Sequence, residues 1–271
     1  MIGALRRVAA LPGIRGVLRS RRIEPVVATV VRASPVRRID VFLARELRPP
    51  AEPACYRLRD SGAIVFVRHR TPDVAALGEV FYEHQYEPPA SVSEVLARLG
   101  APPRILDLGA NVGFFGVFAM ARFPAAELTA VEPDPANLRL LERTMKANGW
   151  SWNVIEAAAT NSDGQVAFAP GRFTTSRIEP GGQLMAAVDA IPLLDRSDLA
   201  KVDIEGGEWA ILGDPRLAAI TPAAMVLEYH PYVCPTADPG RYATDCLTSA
   251  GYEVEQTLEF AGDHGLLWAW R

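Results

Sequence analysis

From about residue 90 onward, short apolar runs alternate with helical stretches, the pattern of a parallel sheet whose strands are joined by crossover helices. The runs Arg104–Leu108, Leu128–Val131, Asn153–Ala157, Lys201–Ile204, Met225–Tyr229, Tyr252–Thr257 and Leu266–Trp270 predict the strands of that sheet. Helix punctuation falls between them. Ser91 or Ser93 is a candidate cap for a helix carrying Val95, Leu96 and Leu99 that stops at Gly100, and Pro102 and Pro103 forbid its continuation. Asp134 caps the next candidate helix, with Pro135 at its first position, Leu138, Leu141 and Met145 on one face, and Gly149 as its stop. A further helix is expected from about Arg241 to Ala250. Residues 163–192 read as an insertion of two or three short antiparallel strands, Gln165–Ala169 among them, forming a flap. Before residue 85 the patterning is irregular, with a Pro-Pro-Ala-Glu-Pro break at 49–53 and one strand-like run, Ala63–Val67. The expectation is an α/β chain: an accessory helical and strand extension over residues 1–85, serving as a substrate lid or as an arm for homo-oligomerisation, then a doubly wound domain over 86–271.

The first strand of the regular region ends in Asp107-Leu-Gly-Ala-Asn-Val-Gly113, ahead of a helix carrying Phe114, Phe115 and Val117. In an open parallel sheet, ligands sit beyond the carboxyl ends of the strands where the strand order reverses. Glycines at 109 and 113 let the backbone turn sharply and let a ligand approach closely. Three carboxylates fall at strand ends: Glu132, Asp203 and Glu228. A dinucleotide fingerprint would place a second glycine where Asn111 stands, so an NAD-dependent oxidoreductase is the weaker alternative. A ligand with an amino-acid end and a ribose diol, adenosylmethionine, fits better: an acidic or amide side chain and loop amides hold the first, and Glu132 is the natural bidentate acceptor for the second. A non-catalytic binding module would not need carboxylates at three strand ends.

Charge alters this picture only at the N-terminus. The net charge is −4, yet residues 1–45 hold ten arginines against Glu24 and Asp40, which leaves 18 basic and 30 acidic residues afterwards. The basic leader reads as a solvated helical arm, with contact to an anionic membrane as the rival reading. It is Arg-rich and acid-free over its first twenty residues, like a transit peptide, but Arg15 and Arg19 interrupt its apolar stretch. The acidic body argues against nucleic acid as a partner. The sequence has no apolar run of about 18 residues, so no membrane span is expected. Cys55, Cys234 and Cys246 form no C-x-x-C pair, and a reducing cytoplasm fits best.

Ile105-Leu-Asp-Leu-Gly-Ala-Asn-Val-Gly-Phe114, Val131-Glu-Pro-Asp-Pro135 and, most specifically, Lys201-Val-Asp-Ile-Glu-Gly-Gly-Glu-Trp-Ala-Ile-Leu212 resemble the FkbM family of class I methyltransferases. The resemblance runs from about Asp73 to the C-terminus and includes Leu227-Glu-Tyr-His-Pro231. It implies a seven-stranded, mostly parallel sheet with an antiparallel last strand, adenosylmethionine as methyl donor, and hydroxyls of sugars or other small natural products as acceptors, with transfer to nitrogen or carbon in some members. By that resemblance Asp107, Gly109, Asn111 and Gly113 line the methionine end, Glu132 the ribose, and Glu156, Ala157 and Ala158 the adenine.

Methyl transfer to oxygen requires a positioned acceptor and a place for its proton. His230 is the expected general base because its reference pKa lies near neutrality, with Asp203 and Glu228 as partners. Glu208 is expected to serve the dipole of the helix it opens. The rival mechanism has Asp203, Glu205, Glu228 and His230 hold magnesium, which would lower the acceptor hydroxyl's pKa; against it, Asp203 and Glu205 are two residues apart and need a turn to converge. Enzymes that methylate amino groups of nucleic acids carry Asn/Asp-Pro-Pro-aromatic at the fourth strand, and here that place reads Asp203-Ile-Glu-Gly206, without a cysteine for cytosine C5 chemistry. His69, His84 and His264 are single in the sequence and are expected to be structural.

Overall fold

The computed structural model describes residues 24–169, 177–178, 181–260 and 264–271, and the chain divides into two compact units, 1–85 and 86–271. The leader over residues 1–23 and part of the 163–192 insertion lie outside the described residues. No described helix is long and apolar enough to cross a membrane.

In the first unit, helices α1 (Glu24–Arg32), α2 (Ile39–Leu47) and α3 (Asp73–Phe81) accompany a hairpin of β1 (Ala54–Arg57) and β2 (Ile64–Val67). The sequence reading located β2 and missed β1, a strand of four residues directly after the proline break whose alternation is too short to register. His69 is structural as expected, but it is not unpartnered. Its Nε2 meets the Tyr56 hydroxyl at 2.6 Å and its Nδ1 meets Glu46 Oε2 at 2.7 Å, with Phe42 packed on the ring.

The second unit begins with α4 (Ala90–Ala97), which starts after Pro89 with neither expected serine as cap. Pro88 and Pro89 already fix the entry, so the serines lie within the helix. The main sheet then consists of β3 (Arg104–Leu108), β4 (Glu127–Val131), β5 (Asn153–Ile155), β10 (Leu199–Val202), β11 (Ala224–Tyr229), β12 (Glu253–Phe260) and β13 (His264–Trp270). Its order is β12-β13-β11-β10-β3-β4-β5, and β13 alone runs against the others. The doubly wound sheet is what the patterning predicts, and its reversed last strand is what the family resemblance implies. Connecting helices α5 (Phe114–Arg122), α6 (Pro135–Asn148), α7 (Ile191–Asp195), α8 (Glu208–Leu212) and α9 (Pro239–Ser249) complete the unit. The α6 ends are as expected: the Asp134 side chain accepts from Ala136 N at 2.7 Å, and Gly149 closes the helix in the left-handed conformation.

The third strand ends at Ile155 rather than Ala157, because Ala158 opens a second sheet. There β6 (Ala158–Thr160) pairs with β9 (Gln183–Asp189), which pairs with β7 (Gly164–Ala169), and β7 pairs with β8 (Arg177–Ile178). The order of the main sheet reverses between β3 and β10, so the loops after these two strands lie side by side. This is the place where such sheets bind ligands.

Candidate active site at the sheet's switch point

The loop after β3 is held by its own backbone. Gly109 and Ala110 donate to Val131 O, and Gly113 N donates to Ala110 O. Gly109, Asn111 and Gly113 all have positive φ, at 75°, 50° and 85°. Asparagine tolerates this conformation better than most side chains, which makes it compatible with a turn that otherwise favours glycine. Asn111 N donates to Glu132 Oε2 at 2.8 Å, while Asp134 N and Asn137 Nδ2 occupy Glu132 Oε1 at 2.9 and 3.2 Å. Burial lifts the Glu132 carboxyl to about 7 against these three bonds. Glu132 therefore ties the loop to the tip of β4, and Oε2 keeps a lone pair for a further donor.

The glycines have a different purpose from the one the sequence suggests. A Cβ on Gly109 would lie 1.8 Å from Asp203 O, and one on Gly116 would lie 2.6 Å from the Trp152 ring. On Gly113 it would press on Trp152 and Leu141 at 3.2 and 3.3 Å. These positions are small because protein packs against them, and the ligand's approach is not what their missing Cβ leaves open.

Beneath the loop, Asp107 and Lys201 face each other in register across β3 and β10, both buried. Lys201 Nζ lies 3.2 Å from Asp107 and 3.3 Å from Asp203, and donates to Gly109 O at 2.9 Å. Burial works against the lysine charge, but Asp107 and Asp203 outweigh it and raise its pKa above the ordinary value. Burial also raises the Asp107 carboxyl, with Lys201 opposing. The sequence reading passed over Lys201, which looks like a polar interruption in an apolar strand until the strands are paired.

Beyond Asp203 the chain folds back. Glu205 has φ 52° and Gly206 φ 96°, so Glu205 does not continue the strand. Glu208 is fully buried: Oε2 accepts from Gly206 N at 2.8 Å, and Oε1 accepts from His230 N at 2.8 Å and from His230 Nδ1 at 3.2 Å. Its role is structural as expected, but it acts by locking the turn to His230 rather than through the helix dipole. His230 Nε2 stands 3.6 Å from Glu205 Oε2, and the Tyr232 and His264 rings stack on His230 at 5.9 and 4.7 Å. Glu228 accepts from Tyr86 OH at 3.2 Å and pairs with His264 Nε2 at 2.8 Å. His264 is thus no isolated residue, since the β11–β13 pairing brings it to the site. Glu156 is exposed just past β5, while Ala157 and Ala158 are buried beside it.

The expected neutral imidazole at His230 is not what this arrangement gives. Burial lowers its pKa, but the Glu208 hydrogen bond and the charges of Asp203, Glu208 and Glu205 prevail and lift it to about 9. Glu205 is lifted to about 8, by burial first and then by Asp203, Glu228 and Glu208, with His230 opposing. The folded protein holds both protons more tightly than the unfolded chain. The stability tied to His230 is complete below its unfolded value of 6.5 and is lost as pH rises through about 9; that tied to Glu205 is lost between 4.5 and about 8. The melting temperature of chelator-treated protein should therefore fall from pH 6.5 to 9, and His230→Gln should flatten that fall. An unchanged slope in the variant would remove His230 as the cause.

Strand order, the reversed β13 and the glycine loop at the switch point define a class I, adenosylmethionine-dependent methyltransferase domain. Residues 107–262 match the methyltransferase FkbM domain, and the chain belongs to that family. Among curated relatives it is similar to methyltransferase sdnD of Sordaria araneosa (25% identical, covering 49% of this chain and 65% of that protein). It is also similar to the type II methyltransferase M.XamI of Xanthomonas campestris pv. amaranthicola (37% identical, 31% and 15%). The chain thus spans less than two thirds of the length of either. Among solved structures, TYW2 of M. jannaschii in complex with AdoMet aligns at 16% identity and TM-score 0.40, covering 80% of this chain and 84% of that one.

Proposed function

We propose that this chain transfers a methyl group from adenosylmethionine to a hydroxyl of a small acceptor, a sugar or another natural product. The observation that carries the reading is the contact between Gly109 and Asp203 O, which makes the carboxylate–imidazole cluster continuous with the cofactor loop. Adenosylmethionine, when bound, supplies an electrophilic methyl on a cationic sulfur. The residues present suit its amino-acid end: Asn111 Oδ1 and Asp107 Oδ2 are buried without a hydrogen-bond donor, as acceptors for an ammonium would be, while Asp107 Oδ1 faces Lys201. In this reading Asp107, Gly109, Asn111 and Gly113 surround that end, Glu132 Oε2 takes a ribose hydroxyl, and Glu156, Ala157 and Ala158 border the adenine. Asp203, Glu228 and His230 orient the acceptor hydroxyl, and its proton passes into their cluster, where carboxylates outnumber cations. The acidic body supports a small-molecule partner over nucleic acid, and the three free cysteines fit a cytoplasmic setting.

Thermal shift tests the donor assignment. Adenosylhomocysteine at 100 times its Kd should stabilise the chain by about 2.7 kcal/mol, a rise of roughly 5–10 °C, and NAD should give none. A response to NAD alone, or to neither, would sink the reading.

A further inference from the structure

We propose that Asp203, Glu205 and His230 form a binding site for a six-coordinate divalent cation, Mn2+ or Mg2+, next to the cofactor loop. The inference deepens the methyl-transfer reading and rests on it for what the ion would serve. Asp203 and Glu205 need a turn to converge, and the left-handed residues Glu205 and Gly206 are that turn. One donor atom from each of the three side chains lies within 4.8 Å of the others. Octahedral bonds of about 2.1 Å place adjacent donors roughly 3 Å apart, so the donor atoms need to draw together by no more than about 2 Å.

The imidazole is already prepared as a ligand. Its Nδ1 faces Glu208 Oε1 at 3.2 Å, and a carboxylate can only accept, so Nδ1 keeps its proton while the proton a cation must displace is the one on Nε2, which faces Glu205. A ligating histidine that donates its other nitrogen to a buried carboxylate is the usual support for a metal site. His230 is only 5% exposed, and the stacked Tyr232 and His264 rings hold its plane. Charge points the same way. Asp203, Glu205, Glu208 and Glu228 gather here, while Lys201 is shared between Asp203 and Asp107. Two carboxylates with one imidazole suit Mn2+ or Mg2+ better than thiolate-seeking metals, and the three remaining positions are open to water or to neighbouring oxygens of an acceptor such as a sugar diol.

The test is Mn2+ titration of the chelator-treated full chain followed by electron paramagnetic resonance, beside the adenosylhomocysteine thermal shift. One Mn2+ should bind per chain, and Mg2+ should displace it. Glu205→Gln, which keeps the side chain's shape and leaves Glu208 in place, should weaken Mn2+ about tenfold or more while the adenosylhomocysteine shift persists. His264→Ala should weaken it far less. No Mn2+ binding, or unchanged affinity in Glu205→Gln, overturns the site; loss in His264→Ala with none in Glu205→Gln overturns this choice of ligands. Loss of the adenosylhomocysteine shift in the unaltered chain would instead undo the methyl-transfer reading, which Mn2+ binding does not depend on.

Discussion

Gly109→Ala destabilises the second unit by about 4 kcal/mol or more and abolishes the thermal shift by adenosylhomocysteine, whereas Gly149→Ala costs only about 1–2 kcal/mol. The two glycines share nearly the same backbone angle, φ 75° and 69°. Placing an L residue in that conformation is the common part of the cost. The difference lies in their surroundings. Nothing stands within 4 Å of a Cβ on Gly149, while on Gly109 the added carbon would fall 1.8 Å from Asp203 O. The obstacle is backbone, held by the Asp203 N to Leu108 O bond, so it cannot rotate away as a flexible side chain would. Either β3 and β10 separate at their ends, or the loop leaves its turn. Denaturant or thermal unfolding of the two variants measures the contrast, and equal costs would show that the Gly109–Asp203 approach is not the constraint.

Lys201→Met has the second large effect, a loss of about 3–5 kcal/mol that lowers the melting temperature by roughly 10 °C. Methionine fills much of the lysine's volume, so the loss is electrostatic: Asp107 is left fully buried without its counter-ion, and Gly109 O loses a donor. The double variant Lys201→Met/Asp107→Asn should regain part of the stability, because the stranded charge is gone. It should not regain the adenosylhomocysteine shift if Asp107 serves the cofactor loop. A melting temperature within about 2 °C of the unaltered chain for Lys201→Met would exclude this account, since one kcal/mol already shifts a unit of this size by about 2–4 °C.

His230 shows how far residue identity reaches and where it stops. Its candidacy was legible, because an imidazole beside a strand-end carboxylate is chemically conspicuous. Its protonation was not, since that depends on Glu208, 22 positions earlier, and on Asp203 and Glu205, brought close by a turn that only backbone angles reveal. His264 is the plainer case. It lies 36 residues from Glu228 in the chain, and the antiparallel register that pairs Glu228 with Leu266 sets it within 2.8 Å. The pairing of Lys201 gave no signal in the sequence, for its partner Asp107 stands on a strand 94 residues earlier.

By itself the sequence determined what is local or periodic. The strands of the main sheet, the Asp134 cap, the Gly149 stop and the loop from Asp107 to Gly113 are set by neighbours within a few residues, where side-chain period and backbone preference act directly. The family segment Lys201–Leu212 was legible for the same reason. The tertiary structure alone decided which charges face one another, and with them the protonation of Glu205 and His230, the partnership of Asp107 with Lys201 and the packing against Gly109. These quantities depend on distance and burial, which the chain order does not contain, because electrostatic energy follows separation in space and desolvation rather than separation in sequence.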